Sequence, residues 1–188
     1  MAKILDIGCG FQKRPGAVGI DLLSNSAADV FYNLNIFPWP FPNNEFDIIY
    51  ATHVLEHLDD IIKTMEEIYR IAKPKARIVI EVPHFASRNM FTDPTHKHFF
   101  GARSFNYFIP GTPEASLGYS SAKFINQYLF LGCHRNQIKP NWHSPLDALL
   151  LTIINRLPGW YERYAVFLYP VQNIYTELFV NKERVKNS

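Results

Sequence analysis

Lys3 to Gly10 reads KILDIGCG, a short β-rich run that stops on two glycines one residue apart. Such a run predicts a strand ending in a tight turn, where bare backbone can come close to a ligand. The next run, Ala17 to Asp21 (AVGID), predicts a second strand that ends on an acid. An acid at that tip can accept from both hydroxyls of a ribose. Only six residues, Phe11 to Gly16, join the turn to the second strand. A crossover that carries a helix needs roughly a dozen or more. The first crossover helix is therefore expected to be reduced or absent, with Lys13, Arg14, Pro15 and Gly16 making the connection. A nucleotide dehydrogenase would carry a third glycine at position 13; Lys13 stands there and argues against a nicotinamide enzyme.

Further along, Asp29 to Tyr32 predicts a weak third strand. Phe46 to Ala51 (FDIIYA) is a continuous apolar run, as expected of a strand buried on both faces. Ala76 to Val82 (ARIVIEV) is a fifth strand, closed by Pro83. Between these two runs, Ile61, Met65, Ile68 and Ala72 recur at helical spacing with Ile62 and Tyr69 beside them. Asp59 is the expected N-cap and Pro74 the expected stop. Strand, helix and strand in that order imply a right-handed βαβ unit in a parallel sheet. Residues 83–121 form a loop region rich in proline and aromatic residues, expected to cover a substrate. Lys123 to Cys133 predicts a strand. Leu146 to Leu157 and Trp160 to Leu168 predict two helical pieces broken at Pro158 and Gly159, within a helical insertion spanning 145–169. Asn173 to Asn181 predicts the last strand.

Taken together, ILDIGCG at 4–10, AVGIDL at 17–22 and PFPNNEFDIIYATHVLEHL at 40–58 resemble successive motifs of the class I S-adenosylmethionine (SAM)-dependent methyltransferases. The resemblance covers Lys3 to Val82 and is strongest to the group whose fourth strand runs into a V-L-E-H segment. It implies an α/β, Rossmann-like fold: a mostly parallel seven-stranded sheet with an antiparallel last strand, here in a single methyltransferase domain over 1–188. It implies SAM as cofactor and methyl transfer to an oxygen, nitrogen or carbon nucleophile of a small molecule or glycan. Asp6, Gly8, Cys9 and Gly10 would shape the loop around the methionine part of SAM. Asp21 would hold the ribose, Leu22 would lie on the adenine, and Asn33 and Leu34 would meet the adenine edge. Ala51, Thr52 and His53 would end the fourth strand near the sulfonium. The chain departs from the family at Gln12, which replaces a third glycine, and in its short first crossover. Lys13 or Arg14 would then stand in for the lost helix N-terminus, or else be solvated.

The loop after the fifth strand leaves from the carboxyl edge of the sheet, where ligands of such folds sit. Its His84, Asp93 and His96 are the candidate catalytic groups, because imidazole and carboxylate can take a proton from an acceptor near neutral pH. Their alternative role is to cap turns. A metal set drawn from His84, Asp93, His96 and His98 ranks lower, and no metal is expected. Read alone, His53-Val-Leu-Glu56-His57 is the H-x-x-E-H signature of an inverted zinc protease. A zinc hydrolase using His53, Glu56 and His57, and a non-catalytic SAM-binding protein, remain the competing functional classes.

The 188 residues fit one domain, and 47% apolar with 19% charged residues indicates a globular chain. A net charge of +2 with only short basic runs does not suit a nucleic-acid partner. Two cysteines, Cys9 and Cys133, make no disulfide framework, so a reducing cytoplasm is the expected compartment. Met1 leads straight into a strand, without the pattern of a signal peptide. The longest apolar stretch, Leu146 to Pro170, is interrupted by Asn155, Arg156, Glu162 and Arg163. Its apolar surface suggests a homodimer contact or weak contact with a membrane surface through 146–168.

Overall fold

A computed structural model describes residues 2–132 and 145–182 of the chain. Seven strands form one sheet in the order β3-β2-β1-β4-β5-β7-β6. They are β1 (Ile4–Ile7), β2 (Ala17–Asp21), β3 (Val30–Phe31), β4 (Phe46–Thr52), β5 (Ala72–Pro83), β6 (Phe124–Gly132) and β7 (Asn173–Val180). The first five pair in parallel. β7 runs antiparallel to both β5 and β6, so the last strand is the reversed one, as expected. Cys133, at the end of the expected sixth strand, lies outside the described residues.

The connection between β1 and β2, residues 8–16, contains no helix, and only Phe11–Gly16 of it follows the glycine turn. The side chains of its own loop fill part of that space. A side chain on Gly19 of β2 would meet the Lys13 stem at 2.6 Å and the Cys9 sulfur at 2.8 Å. The connection therefore packs flat on the sheet because residue 19 is glycine.

Helix α1 (Ile61–Ile71) buries Met65, Ile68 and Ile71 on the sheet. Full burial of each such side chain is worth roughly 1.5–3 kcal/mol. Two details correct the sequence reading. The N-cap is Asp60, whose carboxylate accepts from the Lys63 N–H at 2.9 Å, and not Asp59. Pro74 does not end the helix. The chain turns directly into β5 at Ala72, because that residue already pairs with Phe46 of β4.

The region 83–121 is not a bare loop. It holds a short helix α2 (Arg88–Thr92) and two single 3-10 turns. Phe100, Phe105 and Phe108 from this region are buried in the main core. Helices α3 (Pro145–Arg156) and α4 (Pro158–Tyr164) precede β7. Pro158 does not simply break the helical stretch. It opens α4 at its first position, where a missing N–H costs nothing. No helix of the described residues is long and apolar enough to cross a membrane.

Candidate active site

The parallel strands end at one edge, and the loops there enclose two cavities. The first, about 380 Å3, is lined by Asp6, Gly8, Cys9, Gln12, Lys13, Arg14, Pro15 and Thr52. Its volume falls in the ~300–1,000 Å3 range of small-molecule sites. Gly8 has a φ of +63°, and a side chain there would meet the Val54 methyl at 2.5 Å. Glycine is required at that turn on both counts. The Asp21 carboxylate accepts from the Gly10 N–H at 2.8 Å and the Leu23 N–H at 2.9 Å. It thereby ties the glycine turn to the tip of β2.

The two cations of the short connection part company. Lys13 turns back along the sheet and pairs with Asp29 at 2.6 Å. Arg14 turns into the cavity. Its backbone N–H donates to Asp6 at 2.9 Å, and its guanidinium lies 4.0 Å from the Tyr50 ring centroid and donates to Thr52 Oγ1 at 3.2 Å. Burial pushes the Asp6 carboxyl up, with Arg14 opposing through its N–H and its charge. Of the adenine-side residues, Leu22 is exposed, while Leu34 is buried in the core and offers only backbone. Asn33 uses its side-chain oxygen to accept from the Asn35 N–H at 3.0 Å. Ala51 is wholly buried beneath the strand tip.

The second cavity, about 480 Å3, is lined by His53, Glu56, His57, Pro83, Asn89, Thr92, Asp93, Pro94 and His96. It adjoins the first through consecutive residues: Thr52 lines one and His53 the other. His53 takes a left-handed conformation, φ 51°, which lifts its ring off the end of β4. Its Nδ1 stands 3.3 Å from Glu56 Oε1. A carboxylate only accepts, so Nδ1 carries the proton and Nε2 keeps its lone pair in the neutral ring. The Glu56 hydrogen bond raises the His53 pKa above its ordinary value against the opposing effect of burial. Around Nε2 stand Asn173 Nδ2 at 3.5 Å and Glu81 Oε1 at 3.9 Å.

The structure separates the sequence-nominated catalytic residues. Asp93 and His96 line the second cavity. Asp93 is held below the usual carboxyl range by the Thr95 hydroxyl and N–H. His84 does not reach this cavity, which corrects its reading as an acceptor-side base. Its side chain is wholly buried, with Nε2 3.1 Å from Glu162 Oε1 and Nδ1 accepting from the Ala86 N–H at 3.2 Å. It ties the end of β5 to α4. The inverted zinc-protease reading also fails on geometry. His53 belongs to a strand end and His57 to a single 3-10 turn, so the two do not share a helix face. Glu81 and Asn173 were not nominated from sequence. An acid inside the apolar run of β5 was the available signal for Glu81.

Residues 2–110 match a family described as a methyltransferase domain. An uncharacterized protein of Methanocaldococcus jannaschii is 31% identical over 90 residues, covering 42% of this chain. The match spans only 40% of that relative's length. Among solved structures, a SAM-dependent methyltransferase from Archaeoglobus fulgidus superposes with a TM-score of 0.57 at 21% identity, covering 95% of this chain and 86% of that one. The YcgJ protein of Bacillus subtilis gives 0.57 at 15% identity, covering 97% and 93%. A [4+2]-cyclase, SpnF, gives 0.57 at 15% identity, covering 97% and 76%. At these identities the likeness is one of fold.

Proposed function

The chain belongs to the methyltransferase-domain family, and on that premise we propose that it moves a methyl group from SAM to an oxygen, nitrogen or carbon nucleophile of a small molecule or glycan. The observation that carries this reading is the junction of two cavities at Thr52 and His53. A cofactor in the first would present its reactive end to an acceptor in the second.

The residues of the first cavity fit the cofactor. The Gly8 turn leaves backbone bare, and Asp21, next to the cavity rather than in its lining, keeps further lone pairs for ribose hydroxyls beyond its two backbone bonds. Arg14 supplies a fixed cation for the amino-acid carboxylate, a role that a helix N-terminus would otherwise take. When bound, SAM supplies an electrophilic methyl carbon whose leaving group is a neutral thioether. The protein's task is then to align the acceptor and keep water out. His53 Nε2, with its ring oriented by Glu56, is the group that takes a proton from a protonated acceptor. Asp93 and His96 form the far wall of the acceptor cavity and orient the acceptor's polar groups.

Calorimetry with SAM and S-adenosylhomocysteine, followed by a methyl-release screen over small-molecule and glycan acceptors, tests this reading. Binding of both compounds and product release with one acceptor class is the expected result. Binding without product across the panel would make the chain a non-catalytic binder. Failure to bind either compound would remove the cofactor assignment itself.

A further inference from the structure

The second cavity has a feature that methyl transfer does not require. After β4 the chain makes a single 3-10 turn, Leu55–His57, and the 93–98 segment is stitched onto it. The Lys97 N–H donates to the Glu56 carbonyl at 2.7 Å, and His98 Nε2 donates to the Leu58 carbonyl at 2.8 Å. This stitching sets His96 against His57, with ring centroids 4.7 Å apart. One ligand atom each from Glu56, His57 and His96 then lies within 4.8 Å of the others.

Hydrogen bonding fixes which nitrogen each imidazole offers. The Thr95 hydroxyl has one proton and lies 2.6 Å from Asp93 Oδ1, a pure acceptor, so it donates there. It must then accept from His57 Nδ1 at 2.8 Å. His96 Nδ1 lies 3.0 Å from the Met90 carbonyl, which also only accepts. Both rings are therefore oriented as Nδ1 donors, and in their neutral forms both offer the Nε2 lone pair. Metal-bound histidines are held this way, with the far N–H anchored on a carbonyl or through a carboxylate. The third donor is in deficit. The Glu56 side chain is wholly buried, and its Oε2 has no hydrogen-bond partner among the described residues. Buried carboxylate oxygens normally find a partner, since leaving one bare is costly. Glu56 Oε1 stands 4.0 Å from His96 Nε2, too far for a hydrogen bond. A single ion bonded at ~2.0–2.2 Å to His96 Nε2 and to the Glu56 carboxylate would draw the two together and give the bare Oε2 a partner.

We propose that Glu56, His57 and His96 bind a divalent first-row transition cation, with open coordination positions facing the second cavity. Two imidazoles and one carboxylate suit zinc, iron(II) or manganese better than calcium or magnesium. The open positions would hold an oxygen-bearing acceptor between the ion and His53. That use rests on the methyl-transfer reading, whereas the coordination does not.

Untagged full-length chain, stripped with a chelator and titrated with ZnCl2 or MnCl2 by calorimetry, tests the site. Cobalt(II) absorption in the visible reports nitrogen ligation independently. Wild type should take up the cation stoichiometrically, and His57→Ala and His96→Ala should each weaken binding by ~10-fold or more. Thr95→Val, which removes the hydroxyl that orients His57, should weaken binding and be partly rescued by Thr95→Ser. Both histidines are partly exposed, so these variants keep the test valid even where Glu56→Gln disturbs folding. The same variants should bind SAM as wild type does, because none of these side chains lines the first cavity; a metal failure and a cofactor failure thus read separately. Wild type that takes up no cation, or that binds it no better than the His57→Ala/His96→Ala double variant, would overturn the proposal.

Discussion

The guanidinium of Arg14 donates to Thr52 Oγ1 at 3.2 Å, joining the short β1–β2 connection to the tip of β4. Its neighbour Lys13 is spent on Asp29. Arg14→Ala is therefore expected to weaken SAM binding by ~10-fold or more, the scale of a charge-assisted hydrogen bond. Lys13→Ala should change it little. Calorimetry on the two variants decides the assignment, and equal effects would refute it.

Asp21→Ala should weaken SAM by roughly 1.5–3 kcal/mol. It should also lower thermal stability, because the Gly10 and Leu23 N–H groups lose their acceptor. Unchanged affinity would take the ribose role from this residue.

His53→Ala should lower turnover by ~10^2–10^4-fold, the usual worth of a proton-transfer group. SAM affinity should hold, since His53 faces the acceptor cavity. His84→Ala should instead lower stability by about 1–3 kcal/mol, the cost of stranding a buried partner. A His84→Ala enzyme of normal melting temperature and lost turnover would return His84 to the chemistry.

Glu162 carries the pH dependence that the fold predicts. Burial raises its carboxyl, but the bonds from His84 and the Ala102 N–H outweigh burial and hold the pKa below its usual value. A carboxyl depressed in the folded state stabilises the fold above its unfolded pKa of ~4.3, and that contribution is lost as pH falls through the folded pKa. Melting curves between neutral and acid pH should show wild type losing more stability than Glu162→Gln. Identical acid limbs would contradict this.

Helices α3 and α4 leave Leu146, Leu149, Leu157 and Trp160 exposed, and Phe167 and Leu168 follow them. The two covers proposed for this face are a second copy of the chain and a membrane surface. For the first, light scattering should give a dimer that Leu149→Glu with Trp160→Glu converts to monomer. A wild-type monomer that pellets with lipid vesicles would assign the face to a membrane, and one that ignores vesicles would leave both without support.

The strands were legible because buried parallel strands are continuous apolar runs, as in Phe46 to Ala51, and the missing helix was legible because six residues cannot hold one. The roles of the histidines were not. His84 finds Glu162 78 residues away, and His98 reaches the Leu58 carbonyl 40 residues back. No local pattern encodes such distances. The N-cap was misplaced by one residue because Asp59 and Asp60 are chemically alike, and only the Lys63 N–H tells them apart. Leu34 was read by motif position, yet its apolar side chain is held in the core beside Trp39, whose indole donates to the Leu34 carbonyl at 3.0 Å.

Surface connections usually tolerate insertion and deletion, because little depends on their register. The Phe11–Gly16 connection should be an exception. Adding one residue before Lys13 would set the lysine over Tyr50 and push Arg14 past it, whereas removing one would bring the arginine stem onto Gly19 and leave Pro15 over Tyr50. Length would then be selected there as strictly as identity is at a buried position. Descendants of this chain should vary the composition of that connection more readily than its residue count.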